Sequence, residues 1–152
     1  PVQNGVVVDE RARAGANAWA AGDCANFPSR LYGRRIRLES APNAIDQAKV
    51  AALDMAGKEA SYDPVPWFWS DQYDVKLQTV GLSEGADQTV VRGAAGATSR
   101  SVWYLKAGRL IAVDSMNDVP AFAIGKKLIA AEASPDPKSL ADSARDLKSL
   151  VA

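Results

Sequence analysis

The hydrophobic pattern of this chain changes period at one place, and that place limits the folds open to it. Before it the clearest pattern is helical, with Ala44, Ile45, Ala48, Ala51, Ala52 and Met55 recurring on one face. After it, residues 75–82 alternate with the two-residue period of a strand. The change falls in residues 64–73, Pro-Val-Pro-Trp-Phe-Trp-Ser-Asp-Gln-Tyr. Pro64 and Pro66 fix φ and remove backbone donors, so neither a helix nor a central strand runs through them. With 152 residues in all, the chain is long enough for one domain, or one small domain plus a segment. An α+β architecture in two parts is expected, residues 1–63 and residues 64–152.

In the first part, residues 5–9 are β-branched and read as a strand behind the turn dipeptide Asn4-Gly5. Residues 11–17 have no period and read as a loop. Residues 18–21 read as a short buried strand closed by Gly22-Asp23. Residues 26–35 carry Pro28 and Gly33 and read as a loop. Ser40 is a good N-cap, Pro42 suits a first turn, and Gly57 is a natural stop for the helix between them. The second part predicts strands over residues 75–82, 88–92, 101–105 and 109–114. One helix follows, with Phe122, Gly125, Leu128, Ile129 and Glu132 on successive turns. A Pro-Asp-Pro linker and a tail with a final turn or strand complete the chain.

Composition narrows the chemistry. There is no histidine, which removes the commonest general base, the commonest metal ligand and every Ser-His or Cys-His dyad. Lys plus Arg and Asp plus Glu are 18 each, so charge gives no case for nucleic acid. No apolar run approaches the length that spans a bilayer, and residues 1–10 lack the basic start and apolar core expected of a signal peptide. The single cysteine, Cys24, suits a reducing, cytoplasmic setting and reads as a buried structural thiol. A strand beginning so close to Pro1 suggests a chain cut from something longer.

Four features remain that can carry function. Asp23 ends a strand at Gly-Asp, where a carboxylate can accept hydrogen bonds from sugar hydroxyls or merely cap a turn. The helix start at Ser40–Ala44 offers free amides and a partial positive charge, or is simply a capped helix packing on a sheet. Trp67 and Trp69 fall on one face of a strand, with Phe68 opposite, as a shelf for a planar ring or a partner protein. Arg30, Arg34, Arg35 and Arg37 form a basic cluster, either solvated or a dock for an acidic partner or phosphate.

Taken in order, Val8-Asp9-Glu10, Ala20-Ala21-Gly22-Asp23-Cys24-Ala25, Arg37-Leu38-Glu39-Ser40, Asn43-Ala44-Ile45-Asp46-Gln47-Ala48, Pro66-Trp67-Phe68-Trp69-Ser70-Asp71-Gln72-Tyr73, Val91-Arg92-Gly93 and Gly125-Lys126-Lys127-Leu128-Ile129 resemble one family. It is the oxygenase-coupled, FAD-dependent NAD(P)H:ferredoxin reductases of the putidaredoxin and rubredoxin type, in the glutathione-reductase-like group. The resemblance is to their C-terminal portion. It implies that residues 1–63 are the last strands and helix of an FAD-binding domain, and that residues 64–152 are the C-terminal reductase module. It further implies that Asp23 meets the ribityl chain of FAD and that the backbone at Ala41 meets the isoalloxazine. Trp69 would lie beside the flavin, while Trp67, Arg34 and Arg35 would face a ferredoxin-type iron–sulfur partner. No catalytic residue and no metal ligand is implied. Both Gly-x-Gly-x-x-Gly dinucleotide fingerprints are missing from the chain, so the nicotinamide site would lie outside it. The competing expectation is a cofactor-free binding or assembly module, or an inactive truncated product.

Overall fold

The computed structural model describes residues 1–151, which divide into two compact units at Pro66/Trp67. The architecture is α+β, with a small antiparallel sheet in the second unit.

The first unit holds a three-stranded sheet in the order β1-β4-β5, from β1 (Val6–Val7), β4 (Ala25–Ser29) and β5 (Arg34–Arg37). β1 runs parallel to β4, and β4 pairs antiparallel with β5. Residues 26–35, expected as a loop, are thus mostly a hairpin. Pro28 is tolerated there because β1 reaches only as far as Asn26, so no ladder bond is lost on that side. A second hairpin pairs β2 (Arg13–Gly15) with β3 (Ala18–Trp19), where a loop and a four-residue buried strand were expected. Residues 18–21 are not buried, and only Ala18–Trp19 are extended.

Helix α1 (Ala41–Met55) begins and ends as its sequence dictates. The Oγ of Ser40 accepts from the Asn43 amide at 3.4 Å, and Gly57, at φ +70°, closes the last turn. The amides of Gly57 and Lys58 donate back to Asp54 and Leu53, which satisfies the terminal carbonyls. The buried face differs from the expected one. Pro42, Asn43, Gln47, Ala51 and Asp54 are buried, while Ile45 and Met55 are 56% and 57% exposed. Polar groups can occupy this face because they are hydrogen-bonded there. Asp54 accepts from the Arg13 Nε, from Arg13 Nη2 at 3.1 Å and from Trp19 Nε1 at 2.8 Å. These bonds fasten the β2–β3 hairpin to the last turn of α1 and hold the Asp54 carboxyl below the usual carboxylate range, the Arg13 bond being the chief cause.

The second unit is a five-stranded antiparallel sheet in the order β6-β7-β10-β9-β8. Its strands are β6 (Trp67–Gln72), β7 (Val75–Gly81), β8 (Gln88–Arg92), β9 (Arg100–Lys106) and β10 (Arg109–Met116). Helix α2 (Val119–Ala130) packs on one face. A Cβ on Gly125 would lie 2.7 Å from Val113 Cγ2, so helix and sheet approach as only glycine permits. The sheet is tied to the helix start through polar groups. Trp103, fully buried, donates to Ser101 Oγ at 3.0 Å, and Ser101 donates to Asp118, the N-cap of α2. The expected linker and tail contain a short helix, α3 (Pro137–Ala141), which covers β8, and a 3-10 turn over Leu147–Leu150. Arg92 of β8 holds this segment by donating to the carbonyls of Leu140, Asp142 and Arg145. Among the described residues, no helix is long and apolar enough to cross a membrane.

Candidate functional site

The candidate residues fall in both units. In the first, Gly22 and Asp23 make the turn from β3 into β4. Gly22 sits at φ +83°, a conformation L side chains rarely adopt, and its carbonyl accepts from the Ala25 amide at 2.9 Å. The turn lies on α1: a Cβ on Gly22 would come within 3.2 Å of the Ala44 Cβ. The Gly22 amide donates to Gln47 Oε1 at 2.8 Å in a buried hydrogen bond. Beyond Gly22, the Asp23 carbonyl accepts from Arg37 Nη1 at 2.9 Å. The backbone of Asp23 is therefore held from both sides. Its side chain is exposed, and its carboxylate takes no hydrogen bond from the described residues.

The start of α1 is equally constrained. Of the first-turn amides, Asn43 donates to Ser40 Oγ and Ala44 donates to the Ser40 carbonyl. Pro42 has no N–H. Ala41 is exposed, and its amide is the one first-turn donor left without an acceptor among the described residues. Asn43 braces this end. Its Nδ2 donates to the Leu38 carbonyl at 3.0 Å, and its Oδ1 accepts from the Tyr62 hydroxyl at 2.9 Å. Burial raises the Tyr62 phenol well above its ordinary range, so it remains a donor. The structure thus brings the Asp23 turn and the Ala41 end to the same stretch of one helix.

Cys24, expected to be buried, is exposed because it belongs to this turn, with its Sγ 3.5 Å from the Ala21 carbonyl. The arginines do not act as one cluster. Arg30 pairs with Asp63 at 2.7 Å, and Arg37 pairs with Glu39 at 2.5 Å. Arg35 turns inward, donating to Asn26 Oδ1 and to the carbonyls of Val8 and Asn26, where it joins the ends of β1 and β4. Arg34 is exposed.

In the second unit, Trp67 and Trp69 lie on one face of the edge strand β6. They stack at 5.5 Å between centroids with their planes 27° apart. Phe68 points to the other face and is 41% exposed. Trp69 is also 41% exposed, whereas Trp67 is wedged against α2. Phe122 meets the Trp67 ring at 5.7 Å, and Lys126 Nζ stands 5.3 Å over it. The shelf is therefore two indoles deep and ends in a positive charge. Sequence reasoning missed Asn43 and Gln47, polar residues one helical turn apart. It also missed Lys126, because nothing in the chain links it to Trp67 before folding.

Comparison with known proteins follows the same division. Residues 67–151 match the Reductase C-terminal family. The whole chain is similar to putidaredoxin reductase CamA of Pseudomonas putida, 41% identical over 152 residues, covering 99% of this chain and 36% of that protein. It is likewise similar to rhodocoxin reductase of Rhodococcus erythropolis, 42% identical over 153 residues, covering 100% of this chain and 36% of that protein. Among solved structures, the covalent putidaredoxin reductase–putidaredoxin complex contains a chain that superposes with a TM-score of 0.92 at 41% identity. That superposition covers 99% of this chain and 36% of that one. The chain thus spans little more than a third of the length of the reductases it matches.

Proposed function

Since the chain belongs to the Reductase C-terminal family, we propose that it is the C-terminal portion of an FAD-containing, NAD(P)H-dependent ferredoxin reductase that serves an oxygenase in the cytoplasm. Residues 1–63 would complete an FAD-binding domain, and residues 64–152 would form the C-terminal module. The names of the similar proteins support this reading: putidaredoxin reductase and rhodocoxin reductase, and a ferredoxin–NAD(+) reductase component of an anthranilate dioxygenase system.

The observation that carries the reading is the pairing of an unanswered carboxylate with an unanswered amide on α1. Asp23 is exposed, acceptor-only and fixed by its own backbone, which suits the hydroxyls of a sugar-alcohol chain. Ala41 offers one N–H beside the positive end of α1, which suits an electron-rich ring carbonyl. These residues fit an FAD, whose bound flavin would supply the exchange between hydride and single-electron transfer. The chain's part is to bind and orient. Asp23 would hold the ribityl hydroxyls, Ala41 the isoalloxazine edge, and Trp69 would shield a ring face from water. Trp67 with Lys126, together with Arg34, would meet an acidic iron–sulfur partner, an attraction that salt weakens. Arg35, although on the same strand as Arg34, has its donors engaged inside the first unit and would contribute to the partner surface only by holding β5 in place.

The test is Asp23→Ala in the full-length polypeptide that carries this chain. Losing hydrogen bonds to a charged acceptor costs about 1.5–3 kcal/mol, so FAD should bind roughly 10- to 100-fold more weakly. Flavin content after gel filtration reads this directly. A variant that keeps its full flavin content would sink the assignment.

A further inference from the structure

The geometry points to Gln47 as the positioning residue of the flavin site: its Oε1 holds the Gly22 amide and thereby sets where the Asp23 carboxylate stands relative to Ala41. This rests on the reading of Asp23 and Ala41 above and assigns a role to a residue that touches neither ligand nor solvent.

Gln47 is 0% exposed. One half of its amide is used: Oε1 accepts from Gly22 at 2.8 Å. The other half is not, because Nε2 is buried with no partner. A buried amide that has lost one hydrogen bond is a poor choice for stability alone. Met has the same length and would remove that unpaired donor. It would also strand the Gly22 amide, which has no other acceptor. The exchange trades one orphan donor for another; the hydrogen bond it loses is offset by burying an apolar thioether in place of an amide, so the net effect on the fold is small and stability does not explain why a glutamine stands here.

Position does. The Gly22 amide belongs to the residue before Asp23, at φ +83°, in a turn that packs so closely on α1 that a Cβ on Gly22 would come within 3.2 Å of the Ala44 Cβ. Hydrogen bonds fix such a turn in rotation, because glycine has no side chain to pack. Within the turn the Gly22 carbonyl accepts from Ala25, and the Cys24 carbonyl accepts from Val6. Arg37 holds the Asp23 carbonyl, and Gln47 alone holds the Gly22 amide from the side of α1. On the same helical face, one turn earlier, Asn43 braces the entry to the Ala41 end through Leu38 and Tyr62. The carboxylate and the free amide are therefore both referenced to one buried polar stripe of α1.

The experiment compares Gln47→Met with Gln47→Glu, and with Asp23→Ala, in the full-length polypeptide. The readouts are the thermal midpoint of the apoprotein, the dissociation constant for FAD, and the absorption and fluorescence of bound flavin. Gln47→Met should melt close to wild type, bind FAD about tenfold more weakly, and give a flavin spectrum altered by a looser site. Gln47→Glu keeps an oxygen at the position the Gly22 amide needs, and should bind FAD more tightly than Gln47→Met. Equal FAD affinity for the Met and Glu variants overturns the inference, as does wild-type affinity for Gln47→Met while Asp23→Ala is weakened. If Asp23→Ala itself binds FAD normally, the underlying site reading falls, and Gln47 with it.

Discussion

Gly125→Val tests how the second unit holds its aromatic shelf. Gly125 lies mid-way along α2, where a Cβ would stand 2.7 Å from Val113 Cγ2 and 3.4 Å from Val80 Cγ1. The first distance falls 0.7 Å short of ordinary contact. Val113 and Val80 are fully buried in paired central strands and cannot retreat. The helix must lift, or valine rotamers must eclipse. Overpacking of this kind costs about 1–3 kcal/mol, and two further methyls beyond the Cβ place valine near the upper end. Replacing a helical glycine offsets about 0.5 kcal/mol of this. A net loss of about 2 kcal/mol lowers the melting midpoint of a domain this size by roughly 8–16 °C. The same lift carries Phe122 and Lys126 away from Trp67, so tryptophan emission should shift to the red before melting begins. The matched control is Gly15→Val in β2, where an added Cβ meets nothing within 4 Å. Circular dichroism and tryptophan fluorescence on the purified chain give both readouts. If Gly125→Val melts no lower than Gly15→Val, the close-approach argument is wrong.

Two further outcomes are expected. On the function proposed above, Trp69→Ala in the full-length polypeptide should slow electron transfer to the ferredoxin at least tenfold more than it slows flavin reduction by the nicotinamide, on the scale by which a misplaced contact lowers rates; stopped-flow traces in which both steps slow alike would overturn the assignment of Trp69 to the flavin face on the electron-exit side. The bond from Arg13 lowers the folded-state pKa of Asp54, so its contribution is complete above the unfolded carboxylate value of about 4 and disappears as pH falls through the folded value. The melting-point gap between wild type and Asp54→Asn should accordingly narrow below about pH 4, and parallel pH profiles for the two would refute it.

The second unit was largely legible before folding, and its residues show why. Strands β7 to β10 are five to eight residues long and apolar-rich, and residues 107–108 mark the turn between β9 and β10. Each strand pairs with neighbours that are nearly all local, so pattern and partner agree. The first unit was not legible in the same way. β1, β2 and β3 are two or three residues long, too short to show a period, and they exist because a partner supplies the ladder. Pro28 and Gly33 looked like breakers until the register showed that β4 needs no donor at Pro28.

The candidate site was legible only at the residues that face outward. Asp23, Ala41 and Trp69, to which the family resemblance points, stand exposed. What orients them is hidden, because a hydrophobic-period argument looks for apolar residues on the buried face of α1. That argument chose Ile45 and Met55, which are exposed, and passed over Asn43, Gln47 and Asp54, which are buried. Each of those three reaches a segment distant in sequence: Tyr62, Gly22 and Arg13 respectively. A helix whose inner face is polar at i, i+4 and i+11 has exchanged nonspecific apolar burial for directed bonds. Apolar contacts tolerate sliding, whereas a hydrogen bond of 2.8 Å to a single amide does not. The inner face of α1 is therefore built to place three particular segments rather than to maximise buried area.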